Sequence, residues 1–344
     1  MKFGLCFGMV VPPDGEMTWA DAVADFIRLA PEIEALGYDS VHVTEHHFQR
    51  DGHNSSPLTV LAAVAAVTER LELTTNILLA PLYNPVKLAE DTAVVDNISR
   101  GRLRLGMAPG YVTEEFAGLM VPYATRARRF EETMDILQAA WTNETFSYEG
   151  EFFSIPETRL MPRPVRRPHP PIWYGVSGKL MLRRAAQRRA VWVGSPRHTI
   201  DELAEHLAVY RQACDDAGFQ PQELPIMRGV YVAETRQEAE RIAAPAVTHL
   251  FRELYGRKSA EGERQLRNDA GAVIEDSATV SFDTFKNRYI IGSPDDAIQR
   301  ITELRDRLGM TELTCWTQLP GIGGADVLSS ARLFAKEVIP AFRD

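Results

Sequence analysis

The chain has 344 residues, 45% of them hydrophobic and 25% charged, with a formal net charge of −9 at neutral pH. That length suits one barrel-sized α/β domain over residues 1–344, and the hydrophobic share supplies a large core. The negative balance disfavours a nucleic-acid partner, because gripping a phosphate backbone requires clustered positive charge. No apolar run approaches the roughly 20 residues of a membrane span. The opening Lys2-Phe3-Gly4-Leu5-Cys6-Phe7-Gly8 is broken by glycine too early for a secretion signal, so the expectation is a soluble cytoplasmic protein. Cys6, Cys214 and Cys315 are widely spaced, which points to neither a disulfide framework nor a thiolate metal site.

Short apolar, β-branched runs alternate with longer amphipathic ones about eight times along the chain. The strand candidates are Phe3–Met9, Ser40–Thr44, Leu73–Leu79, Leu103–Met107, Ile172–Val176, Val191–Gly194, Ile226–Val232 and Leu313–Thr317. Helical patterns lie between them, among them Trp19–Leu36, Pro57–Arg70, Val86–Ile98 and Asp295–Leu308, with Ala325–Val338 closing the chain. Ser56-Pro57, Asn84-Pro85 and Ser293-Pro294 each set a capping side chain before a proline at the first helical position. Leu36-Gly37 and Ala217-Gly218 read as helix stops. Strand–helix alternation implies parallel strands joined by right-handed crossovers. The number of units favours a (β/α)8 TIM barrel over an open sheet, and no Gly-x-Gly-x-x-Gly follows the first strand. Two stretches break the rhythm, as insertions after strands four and seven. Phe146–Pro171 reads as an insertion with a short hairpin, and 255–286, polar and after the seventh strand, as a mobile lid.

The second strand candidate runs into Thr44-Glu45-His46-His47-Phe48. A barrel keeps its chemistry where strands end at the C-terminal rim, and an imidazole there moves protons near neutral pH. His42-x-x-Glu45-His46 also matches a zinc peptidase pattern, but that pattern works on a helix. Val41, Val43 and Thr44 are β-branched, and Gly37 to Ser40 is turn chemistry, so the segment is extended. Four strand rises separate the two imidazoles by about 13 Å, too far for one zinc. His42 is then a core histidine or one facing the helix layer, Glu45 a partner for a nearby arginine, and His46 and His47 the functional candidates.

From the second strand to the fourth, the chain resembles the bacterial luciferase-like family of flavin-dependent monooxygenases. The resemblance is carried by Glu45-His46-His47-Phe48, by Thr68 to Ile77, by Pro81 to Asp91 and by Asp96 to Gly106. Pro171 to Ser177 and Ala185 to Arg188 continue it more weakly, up to about Gly194. It implies a monooxygenase that takes reduced FMN from a separate reductase and uses dioxygen to oxygenate a small organic substrate through a peroxyflavin. His46 is implied as the catalytic histidine. A non-prolyl cis peptide is implied at Asn76-Ile77 beneath the flavin ring, with Gly106, Met107 and Ala108 beside the cofactor. A homodimer is implied too.

Gly175-Val176-Ser177-Gly178-Lys179 lies between a strand and an Arg-rich helix. Free N–H groups, a hydroxyl and a lysine there form a plausible phosphate cradle, with Ser177, Gly178 and Lys179 as the contacts. Met9, Phe48, Tyr111 and Trp192 are candidates to line a substrate pocket, as are Phe7, Trp173 and Trp316, though core packing accounts equally for any one of them. One position departs from the family. Pro109 stands where an arginine contacts the flavin phosphate, and proline brings neither charge nor an N–H donor. Two alternatives stay open: a deazaflavin-dependent oxidoreductase on the same fold, and a flavin-binding protein without turnover.

Overall fold

A computed structural model describes residues 1–11, 17–50, 52–255, 267–274 and 279–343. Nine strands among them form a curled parallel sheet: β1 (Lys2–Phe7), β2 (Ser40–Val43), β3 (Glu72–Leu78), β4 (Leu103–Met107), β7 (Ile172–Tyr174), β8 (Val191–Trp192), β9 (Pro225–Val232), β10 (Ile290–Gly292) and β11 (Glu312–Gln318). A separate antiparallel ribbon pairs β5 (Phe146–Glu149) with β6 (Ser154–Thr158), within the stretch read as a hairpin-bearing insertion. The helices are α1 (Trp19–Ala35), α2 (Pro57–Ala65), α3 (Pro85–Ile98), α4 (Thr113–Gly118), α5 (Arg126–Thr142), α6 (Lys179–Gln187), α7 (Ile200–Asp216), α8 (Arg236–His249), α9 (Pro294–Leu308) and α10 (Gly324–Leu333).

The sheet order is β10-β9-β11-β1-β2-β3-β4-β7-β8. Its curl brings the chain just past β8 back onto β9. There the Gly194 N–H donates to the Pro225 carbonyl and the Met227 N–H to the Gly194 carbonyl, both at 2.9 Å. Parallel strands covered on both faces read as nearly continuous apolar runs, and every residue of β9 and β11 is buried. The Phe26 ring of α1 packs at a tilt against Phe7, with the ring centres 4.2 Å apart. Burying such a side chain is worth about 1.5–3 kcal/mol.

The eight strand candidates are all present, Leu103–Met107 with its expected ends and the other seven with shifted ones, and Ile290–Gly292 is a further strand that the sequence does not reveal. Three residues are too few for a periodicity to register. Strand β1 stops at Phe7 because the chain turns at Met9, whose φ is +51°. Helix α2 stops at Ala65 rather than Arg70. The Glu34 carboxylate collects the N–H groups of Glu69 (3.1 Å) and Leu71 (2.9 Å) and pulls that segment out of helical geometry. Of 255–286, residues 256–266 and 275–278 lie outside the described residues, and the lid expectation with them.

Helix starts follow the capping logic at two of the three expected places. Asn84 Oδ1 accepts from the N–H groups of Val86 (3.0 Å) and Lys87 (3.1 Å). Ser293 forms a reciprocal capping box with Asp296, whereas Ser56 makes no capping bond. Helix α9 ends at Gly309, with φ +74°. Ser293→Ala is expected to cost about 1 kcal/mol, the usual worth of such a cap. Urea unfolding of the two chains measures it, and a loss below a few tenths would show that the cap adds nothing.

Candidate active site

Strand β2 delivers His42 into the interior of the sheet, and the loop after it carries Glu45, His46 and His47 to the rim. The His46 backbone is fixed by its N–H donating to the Asn54 carbonyl at 3.0 Å, while Asn54 Nδ2 donates to the Thr44 carbonyl at 3.0 Å. His46 Nδ1 lies 2.7 Å from Glu115 Oε1, on α4. The same carboxylate oxygen accepts the His47 N–H at 3.0 Å, and Glu115 is fully buried. An acceptor facing Nδ1 holds hydrogen on that nitrogen, so Nε2 is the nitrogen left to exchange a proton.

Glu45 has partners other than the arginine expected for it. Its Oε1 accepts from His47 Nε2 and from the Tyr83 hydroxyl, each at 2.8 Å, and its Oε2 from the Leu79 N–H at 2.7 Å. The group orders the rim and has no spare oxygen for chemistry. Burial pulls the His47 imidazole down, but its hydrogen bond to Glu45 and that charge outweigh burial and raise its pKa above the ordinary value.

Beneath the rim, on the same side, runs a cleft. His46, Asn76, Ile77, Ala108, Tyr111 and Ser177 line it, all of them singled out from the sequence. The Asn76–Ile77 peptide is cis, as the resemblance implies. Ile77 packs into room left by two glycines. A Cβ on Gly175 would fall 2.6 Å from Ile77 Cγ1, and one on Gly106 would fall 3.0 Å from Ile77 Cδ1 and 2.2 Å from the Thr75 carbonyl oxygen. Gly106 therefore shapes the floor from behind without lining the cleft.

The remaining expected residues lie elsewhere. Met107 and Met9 are buried in the core, where the Met9 N–H donates to Gln318 Oε1 at 2.8 Å. Trp192 is buried behind the wall and donates its indole N–H to the Val176 carbonyl at 2.8 Å. Phe48 is 61% exposed, and its ring rests on Gly118, where a Cβ would meet it at 2.3 Å. Met9, Phe48 and Trp192 thus support the cleft or flank it, and do not line it. Gly178 and Lys179 are exposed at the N-terminus of α6, next in the chain to Ser177.

Several cleft and interior residues escaped the sequence reading. Arg197 is the only arginine or lysine among the described lining residues, with its guanidinium 5.3 Å from the Tyr111 ring centre. Ser195, His198 and Met227 line the cleft as well, beside Trp316, which the sequence does single out as a pocket candidate. Below the floor, Arg104 grips Glu312 with two hydrogen bonds of 2.7 and 2.9 Å, stacks 4.3 Å from the Trp173 ring centre and donates to Thr74 Oγ1. Burial works against the Glu312 charge, yet Arg104 and His42 hold its carboxyl well below the usual range. His42 belongs to this interior cluster, 3.2 Å from Glu312 Oε1. His42 and His46 therefore serve separate carboxylates, and their side chains do not converge as zinc ligands would.

The fold, the rim histidine and the cis-peptide floor define a flavin-type α/β oxygenase scaffold. The luciferase-like monooxygenase family model matches residues 1–312, and the chain belongs to that family. It is 26% identical to the oxygenase component of flavin-dependent trigonelline monooxygenase from Acinetobacter baylyi, over 100% of this chain and 96% of that one. It is 26% identical to FMNH2-dependent dimethylsulfone monooxygenase from Pseudomonas putida, over 81% and 78% of the two chains. The crystal structure of monooxygenase RslO1 from Streptomyces bottropensis superposes with a TM-score of 0.87 at 27% identity, covering 100% of both chains. No helix among the described residues is long and apolar enough to cross a membrane.

Proposed function

We propose that the chain is the oxygenase component of a two-component monooxygenase, which receives reduced FMN from a separate reductase and uses dioxygen to oxygenate a small organic substrate. The observation that carries this reading is His46, held by Glu115 at the rim of a cleft whose floor is the Asn76–Ile77 peptide. The curled sheet is read as the family's (β/α)8 barrel, closed at Gly194, and a homodimer remains part of the proposal.

The residues present fit a flavin. Ile77, Ala108, Gly110, Gly175 and Val176 offer an apolar slot for a flat ring. Thr44 Oγ1, in the lining, is buried and has no hydrogen-bond partner among the described residues. At the Ser177 end, the start of α6 supplies backbone N–H groups for a phosphate. Arg197 brings the positive charge that Pro109 does not.

Reduced FMN, when bound here, would supply two electrons and two hydrogens, enough to place one atom of dioxygen on the substrate and the other in water. His46 Nε2 holds or gives the proton that moves in these steps, with Glu115 fixing the ring. Met227 and Trp316, both in the lining, would exclude water from a ring bound in the cleft.

Binding tests the reading first. Titration of the chain with photoreduced FMN under anaerobic conditions should show saturable binding at one site. Gly175→Val drives its side chain into Ile77, pushes that residue into the slot, and should weaken binding at least a hundredfold with the fold intact by circular dichroism. Equal binding by both chains would place the flavin elsewhere, and preferential binding of a deazaflavin would overturn the choice of FMN.

A further inference from the structure

The hydrogen bonds beneath the floor fix which end of the Asn76 amide meets the cleft. Glu312 is ionised, since Arg104 grips both its oxygens. The Ser40 hydroxyl also donates to Glu312 Oε1, at 2.9 Å. His42 Nε2 lies 3.2 Å from that oxygen and 2.9 Å from Ser40 Oγ, whose hydrogen is already committed. Facing two acceptors, Nε2 must carry the hydrogen. Burial lowers the His42 pKa despite Glu312, so the ring is neutral and Nδ1 is a bare acceptor.

Asn76 Nδ2 approaches that bare Nδ1 at 3.4 Å. The amide nitrogen is therefore directed down, towards His42. Asn76 lines the cleft, and its Oδ1 accepts no hydrogen bond from any described residue. Room for this arrangement is kept by Gly4, where a Cβ would fall 2.2 Å from Ser40 Oγ and 2.6 Å from His42 Nε2.

We propose that His42, locked by Glu312 and Ser40, is a positioning residue that presents the Asn76 carbonyl oxygen to the cleft, so that the site selects the reduced over the oxidised flavin. This rests on the flavin reading above. The chemistry is a matter of donors and acceptors. The central ring of an oxidised isoalloxazine offers only nitrogen lone pairs, which a carbonyl oxygen repels, whereas the reduced ring carries N–H there and donates. A flipped amide would present an NH2 group and favour the oxidised ring instead. The lock therefore makes the site take its cofactor reduced and release it oxidised, as an enzyme fed by a separate reductase requires.

The test is the ratio of two dissociation constants, for oxidised FMN in air and for photoreduced FMN under anaerobic conditions. It is measured for the intact chain, His42→Phe and Asn76→Leu. His42→Phe removes the acceptor below Asn76 but leaves Arg104 and Ser40 on Glu312. Asn76→Leu keeps the side-chain shape and removes the oxygen. The intact chain should bind the reduced form at least tenfold tighter, and both variants should lose most of that preference. A tenfold change in the ratio is a shift of about 30 mV in the two-electron potential of the bound flavin, which dye equilibration reads independently. If either folded variant weakens both forms equally and keeps the ratio, the residues are only structural and the proposal is wrong. If the intact chain binds neither form, the flavin reading fails and this inference falls with it. Tight binding of both forms without preference overturns this inference alone.

Discussion

Glu115→Gln is expected to lower flavin-dependent oxygenation by about 10²–10⁴-fold, although Glu115 itself is fully buried. The His47 N–H donates to the same oxygen that faces His46 Nδ1, so the amide that replaces the carboxylate keeps its oxygen there and removes only the negative charge. Without that charge beside Nδ1, the protonated ring loses its support and His46 Nε2 takes up a proton less readily. Enzymes whose catalytic histidine is oriented by a carboxylate lose about 10⁴-fold on the matching acid-to-amide change. General acid–base groups contribute about 10²–10⁴-fold in all, which sets the range. Because Glu115 acts through His46, adding Glu115→Gln to His46→Ala should lower the rate little further. Glu115→Asp, which keeps the charge, should recover part of the loss and the pH profile of the intact enzyme. Product formation with photoreduced FMN measures each variant, while reduced-FMN binding stays near that of the intact chain. A Glu115→Gln rate within threefold of the intact enzyme would remove Glu115 from the proton-handling unit.

Glu312→Ala is expected to be the most destabilising single change at the floor of the site, by about 3 kcal/mol or more in urea unfolding at neutral pH. Breaking a buried ion pair leaves an uncompensated charge, at a typical cost of about 3–5 kcal/mol. Glu72, 3.2 Å from Arg104 Nη1 and partly exposed, offsets some of the loss, so the low end of that range applies. The pH dependence has a definite sign. Arg104 and His42 hold the folded-state carboxyl below its unfolded value. The contribution of Glu312 is therefore complete above the ordinary glutamate range and is lost as pH falls through the lowered folded-state value. The gap between the intact chain and Glu312→Gln should stay level from pH 6 to 8 and narrow only in acid, below about pH 4. A gap that closed on going from neutral to alkaline pH would contradict this assignment.

Much of the scaffold was legible because strands and helices alternate with capping and stop signals that depend only on near neighbours. Ser293-Pro294 and Asn84-Pro85 cap as their chemistry requires, and Gly37 and Gly218 take the left-handed conformation that ends a helix. The His46 assignment was reached because β-branched Val41, Val43 and Thr44 made the segment a strand end. Its partner was not legible. Glu114 and Glu115 are adjacent acids in the first turn of a six-residue helix, too short for periodicity to show which one turns inward. Arg104 did leave a signal, a charge alternating with leucines in Leu103-Arg104-Leu105. A charge in a strand covered on both faces must meet a buried partner, but Glu312 lies 208 residues away and only the curled sheet joins them. Trp192 and Met9 illustrate the opposite error. A large apolar side chain near a strand end was read as lining, whereas each is spent on the packing and hydrogen bonds that hold the wall in place.

On the proposed function, the cleft binds reduced FMN and controls its reaction with dioxygen through His46. Stopped-flow mixing of the anaerobic complex of the chain and reduced FMN with air-saturated buffer tests it most directly, with the return of oxidised-flavin absorbance as the readout. The absorbance should return at least tenfold more slowly than for free reduced FMN, and should approach the free rate in His46→Ala. A return as fast as that of free flavin in the intact chain, or one unchanged in His46→Ala, would contradict it.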